Sequence, residues 1–138
     1  MTIYLDFDGT VVEHEYPKIG RFNPGALETV KDLMKKGHLV ILNTMRADFQ
    51  NGSLQKALDY LNRHPTIELP FEIIALPKKI YPRPWNIVSE GVKFLEIHGI
   101  YIDDTAFSMP TVRCNHLINS TMVDWEVVRS ELSLLSLI

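Results

Sequence analysis

The chain has 138 residues, a formal net charge of -3 and 22% charged residues, which fits a single domain over 1–138 that buries about two-thirds of its unfolded surface. No basic stripe of the kind that gathers phosphate backbones is present, so a nucleic-acid polymer is not an expected partner, and no apolar run approaches the roughly 20 residues of a membrane-spanning helix. The single cysteine, Cys114, cannot form an intramolecular disulfide or a thiolate pair, and the N-terminus lacks the positive start and unbroken apolar core of a secretory signal; a cytoplasmic, soluble protein is expected.

The first apolar run, Ile3 to Phe7, reads as a strand. Asn23-Pro24 then supplies an N-cap and a first-turn proline, and Ala26, Leu27, Val30, Leu33 and Met34 keep helical spacing until Gly37 stops the turn. Leu39 to Leu42 reads as a second strand. Ser53 to Asn62 reads as a second helix, with Leu54, Ala57, Leu58 and Leu61 on one face and Pro65 barring continuation.

Phe71 to Leu76 reads as a third strand. Residues 77–84 hold three prolines and two lysines, which marks a surface loop, and 85–97 is open between a short helix and a hairpin strand. Ile100 to Ile102 and His116 to Ile118 read as the last strands. A final helix starts near Asp124 and uses Val127, Val128, Leu132 and Leu135, with the apolar tail to Ile138 docking on its own sheet. Strands apolar throughout, separated by helices, indicate an α/β fold with a parallel sheet.

Strand one runs into Asp6-Phe7-Asp8-Gly9-Thr10, and alternation puts Asp6 and Asp8 on one side where the chain leaves the sheet. Two carboxylates that close ask for a cation between them or a shared proton. Gly9 permits the sharp exit. Ligands of open α/β sheets gather at the carboxyl ends of the strands, where strand two ends in Asn43-Thr44 and strand four in Asp103-Asp104.

Asp6-Phe-Asp8-Gly9-Thr10-Val11 resembles the first motif of the haloacid dehalogenase-like (HAD-like) hydrolases, and Thr44, one of Lys78 and Lys79, and Ile100-Tyr-Ile-Asp-Asp104 resemble its second, third and fourth in the same order. The resemblance implies a three-layer, Rossmann-like α/β/α sandwich with a five-stranded parallel sheet of order 5-4-1-2-3. The loop from Val11 to Gly20 resembles that of the short, capless members. The implied chemistry is hydrolysis of a phosphate monoester through an aspartyl phosphate on Asp6, with Asp8 as general acid and then base. Thr44 would hold a phosphoryl oxygen and the lysine would balance charge. Asp6, the main-chain carbonyl of Asp8, Asp103 and Asp104 would bind Mg²⁺, with Asp103 favoured over Asp104 for direct contact. Every candidate ligand is an oxygen, which suits Mg²⁺ over zinc.

Gly9, Thr10, Thr44 and Arg46 are the candidate substrate contacts. For Arg46 a phosphate contact through its planar fork stands beside an ordinary salt bridge. For His14 and Tyr16 a lid stands beside simple packing, and for Tyr81, Arg83 and Trp85 a substrate wall stands beside aromatic packing of a proline-rich loop. His38, His64, His98 and His116 read as structural. Without a cap the site should admit a phosphorylated small molecule or macromolecule unless a second copy of the chain covers it. The rival readings are a phospho-acceptor signalling module, which has a different motif order, and a phosphate-binding protein of the same fold that has lost turnover.

Overall fold

A computed structural model describes residues 2–75, 100–103, 112–113 and 123–138, of which 100–103 and 112–113 are described as backbone apart from the Ile102 side chain. The chain is a mixed α/β fold built on a parallel sheet. Strand β1 is Thr2–Leu5, β2 Leu39–Leu42, β3 Ile74–Ala75, β4 Ile100–Asp103 and β5 Val112–Arg113. They lie in the order β3-β2-β1-β4-β5, with every pairing parallel.

The central strand explains the layout. Ile3 and Leu5 of β1, Leu42 of β2 and Ile102 of β4 are within 1% of complete burial, as strands with neighbours on both sides and helices over their faces must be. Leu5 is registered against Leu42 on one side and Ile102 on the other. The ladder ends just beyond, where the Asp6 N–H donates to the Ile102 carbonyl at 3.0 Å and the Asn43 N–H to the Leu5 carbonyl at 2.7 Å.

Helix α1 is Ala26–Lys35. Its core face is the expected one, but its start is not: the residue before it is Gly25, in the left-handed region at φ 82° with no side-chain cap. Asn23 is diverted elsewhere, as described below. The stop is a Schellman motif, in which the Gly37 N–H reaches the Met34 carbonyl and the His38 N–H the Leu33 carbonyl, with Gly37 at φ 90°.

Helix α2 is Ser53–Asn62. Asn51 Oδ1 accepts from the Ser53 N–H, and the Asn62 side chain exchanges two hydrogen bonds with the Ile73 backbone, leading the chain into β3. That strand is shorter than Phe71 to Leu76, and Phe71 and Ile74 are exposed. Among the described residues β3 pairs with β2 alone. The fifth strand lies at Val112–Arg113; His116 to Ile118, together with residues 77–84 and 85–97, lies outside the described residues.

Helix α3 is Trp125–Leu134. Asp124 caps it, its side chain accepting from the Glu126 and Val127 N–H groups. The buried face is Trp125, Val128 and Leu132 rather than the Val127 to Leu135 stripe, and Leu135 is exposed. The tail does dock: Leu137 is buried, and the His38 ring meets its carbonyl at 2.8 Å. Arg129 of α3 reaches Thr29 and Asp32 of α1, tying the two helices together. Among the described residues no helix is long and apolar enough to cross a membrane.

Candidate functional site at the carboxyl edge of the sheet

Three adjacent strands deliver the candidate residues to one edge. Asp6 follows β1, Thr44 lies two residues beyond β2, and Asp103 is the last residue of β4, so parallel pairing sets their backbones side by side. Asp6 is buried, and Thr10 Oγ1 lies 3.4 Å from its Oδ2.

Residues 7–12 form the turn that presents these groups. The Phe7 carbonyl accepts from the N–H groups of Thr10, Val11 and Val12, and the Gly9 N–H returns to the Val12 carbonyl. Gly9 stands at φ 78°, a conformation that glycine enters without a Cβ clash. The turn is then braced from far along the chain. Trp125 Nε1 donates to the Thr10 carbonyl at 2.7 Å, and the Val123 N–H donates to the Gly9 carbonyl at 2.9 Å. Asn23 Nδ2 donates to the carbonyls of both Thr10 and Val123, fixing its side chain in this turn.

Asp8 departs from the sequence argument. The strand ends at Leu5, and the Asp8 carboxylate is taken by Arg46: Nε donates to Oδ2 and Nη2 to Oδ1, each at 2.8 Å. The Arg46 guanidinium engages both oxygens of this carboxylate. The Arg46 side chain is 1% exposed and that of Asp8 12%. Arg46 also donates to the carbonyls of Lys18 and Ser53, and its guanidinium lies 5.1 Å from the Phe7 ring centre and 5.0 Å from that of Tyr16. The planar fork therefore serves Asp8, the loop at Lys18 and the start of α2 at Ser53, the salt-bridge alternative for Arg46.

Thr44 caps the short 3-10 turn Met45–Asp48, its Oγ1 accepting from the Arg46 N–H at 3.2 Å. An accepting hydroxyl keeps its hydrogen to donate, so a phosphoryl oxygen remains within its chemistry. Tyr16 packs: its ring lies 5.6 Å from that of Phe49 and its hydroxyl accepts from Asn51. His14 is exposed. Glu13 and Arg21 pair across the base of this loop, where Gly20 runs so close that a Cβ would stand 2.2 Å from the Glu13 carbonyl oxygen.

The donor chemistry fits a hard cation. The Asp6 carboxylate offers oxygen donors, the kind that Mg²⁺ prefers. Among the described residues no group of three or more His, Cys, Asp or Glu side chains gathers as a metal set. The Asp103 side chain, Asp104, Lys78 and Lys79 lie outside the described residues, as do Tyr81, Arg83, Trp85, His98 and His116.

The long-range partners Asn23, Val123 and Trp125 and the cage around Arg46 have no local signature in the sequence. Asn23 sits 100 residues from Val123 and Arg46 sits 38 from Asp8, so nothing in residue spacing links them.

No family model matches the chain, and no curated protein matches it. A solved structure of a conserved protein from Bacteroides thetaiotaomicron is similar at 28% identity with a TM-score of 0.60, over 97% of this chain and 90% of that one.

Proposed function

We propose that the protein is a capless, HAD-like phosphatase that hydrolyses a phosphate monoester through a phosphoryl group carried on Asp6. The observation that carries this reading is the convergence of Asp6, Thr44 and Asp103 at the carboxyl ends of three neighbouring parallel strands, where open α/β sheets hold their ligands. The strand order, taken from the β5 edge, is the 5-4-1-2-3 that the motif resemblance implies. Receiver-type signalling modules use the order 2-1-3-4-5, which weighs against the phospho-acceptor alternative.

In this reading an Asp6 oxygen attacks phosphorus as the bond to the leaving group breaks, and the leaving oxygen takes the electron pair and a proton from Asp8. Asp6 is prepared for the task by burial and by the turn that Trp125, Val123 and Asn23 brace. The Thr44 hydroxyl donates to a phosphoryl oxygen. Asp8 takes a proton from the water that releases the Asp6 ester. One of Lys78 and Lys79 offsets charge on the phosphate. Asp6, the Asp8 carbonyl and Asp103, with Asp104 near, would hold Mg²⁺, which when bound supplies neutralisation of the crowded negative charge.

The test is a screen of phosphorylated metabolites with Mg²⁺ present, with Asp6→Asn as the control. Turnover of at least one compound by the native protein, lost in the variant and on chelation with EDTA, is the expected result. Release no faster than that of the Asp6→Asn control across the whole panel would remove the hydrolase reading.

A further inference from the structure

Thr44 opens the short turn Met45–Asp48, and two large apolar side chains at its start and end stand in water: Met45 is 53% exposed and Phe49 43%. A single exposed apolar residue is ordinary, whereas several gathered beside a polar site call for a reason. Arg46, between them, is almost wholly buried. The turn thus sends its arginine inward and two large apolar groups outward, the reverse of what hydration alone favours.

The same arginine ties these groups to the reacting centre. Its fork holds both oxygens of Asp8, the residue that the proposed reaction sets beside the leaving oxygen. Its guanidinium also lies against the Tyr16 ring, and that ring is 5.6 Å from the Phe49 ring at an angle of 34°. Tyr16 is half-buried and fixed at its far end, where Asn51 Nδ2 donates to the hydroxyl at 3.0 Å. The Phe49 N–H returns to the Arg46 carbonyl. Two rings held in place next to Asp8 make a surface that a third ring can join through the tilted or offset contacts that aromatic groups prefer. Loop packing accounts for Tyr16, which covers Arg46, but not for a phenylalanine left so far in water.

We propose that Phe49 and Tyr16, with Met45 at the edge, form a specificity wall for the leaving group, so that the substrates are phosphate monoesters whose alcohol carries an aromatic ring. The proposal rests on the reading of Asp6 as nucleophile and names the substrate class of that site. The wall binds the ring and takes no part in making or breaking bonds.

The experiment measures kcat/KM with Mg²⁺ for ethyl, 2-cyclohexylethyl and 2-phenylethyl phosphate. All three leave through a primary alcohol oxygen of similar basicity, so the comparison reads the contacts of the side group. Ring burial and aromatic contact together should favour 2-phenylethyl over ethyl phosphate by at least about tenfold, and over the cyclohexyl compound by about 2–10-fold. Phe49→Ala should shrink the phenylethyl-to-ethyl ratio at least about threefold. Misfolded protein lowers both rates alike and cancels from this ratio. A native ratio near one, a cyclohexyl compound cleaved as fast as the phenyl one, or a ratio unmoved by Phe49→Ala overturns the wall and leaves the phosphatase reading standing. So does failure to cleave any of the three by a protein that hydrolyses other phosphates. No turnover of any phosphate overturns the phosphatase reading and the wall together.

Discussion

Asp8 and Arg46 are best understood by what each becomes without the other. Removing one member of a buried ion pair costs more than the pair contributes, because the remaining charge keeps its desolvation with nothing to offset it. Asp8→Ala should therefore lower stability by about 3 kcal/mol, at the low end of such losses because the Lys18 and Ser53 carbonyls still accept from Arg46. Urea denaturation measures this. A loss below about 1 kcal/mol would mean that the fork is an ordinary surface contact. The milder Asp8→Asn separates two chemical roles. If Asp8 acts only as base, an aryl phosphate should still give a rapid burst of phenol while steady-state release falls by about 10²–10⁴-fold. A burst that disappears would make Asp8 a proton donor to the leaving group as well, and unchanged kinetics in both phases would remove Asp8 from the chemistry.

At the scale of elements, the end of α3 stores a correctable strain. Ser136 occupies the left-handed region at φ 58° because the Schellman closure, with the Leu137 N–H on the Leu132 carbonyl, requires that turn. Ser136→Gly should stabilise the protein by about 0.5–1 kcal/mol, the left-handed cost removed less the greater chain entropy of glycine, read as a higher thermal midpoint. A lower midpoint would show that the serine side chain has a role the turn does not reveal. At the other end, Asp124→Ala should cost about 1 kcal/mol by freeing the N–H groups of Glu126 and Val127. Both ends illustrate which elements the sequence discloses. Helices bounded by local signals, such as α1 at Gly37, α2 at Ser53 and α3 at Asp124, are legible because the cap and the periodicity lie within a few residues of each other. The start of α1 misleads because Asn23 is held in the turn by long-range hydrogen bonds and the helix begins only after Gly25. The pairing of Val112–Arg113 with β4, Ile102 with Val112 and Asp103 with Arg113, runs through backbone groups and leaves little apolar signal for a sequence reading.

Over the whole molecule, the C-terminal segment is a brace for the N-terminal motif, and this is the part of the candidate site that sequence reading could not reach. The acids, the threonine and their strands are recognisable by order along the chain; one of the two donors to the Thr10 carbonyl, Trp125, lies 115 positions away. The Thr10 carbonyl accepts from Trp125 Nε1 and Asn23 Nδ2, and Thr10 in turn approaches Asp6. Trp125→Phe keeps much of the aromatic bulk but removes the indole donor, leaving a buried carbonyl with one partner. The expected loss is about 1–2 kcal/mol of stability, that of a buried hydrogen bond whose acceptor keeps a second donor. If the turn positions Asp6 for attack, phosphatase turnover should fall with it, because small misplacements of a nucleophile are amplified in rate, while KM changes little. Denaturation and steady-state kinetics on the same preparation decide the matter. Lost stability with full turnover would make Trp125 a structural prop alone, and unaltered stability would show that the Thr10 carbonyl does not depend on the indole.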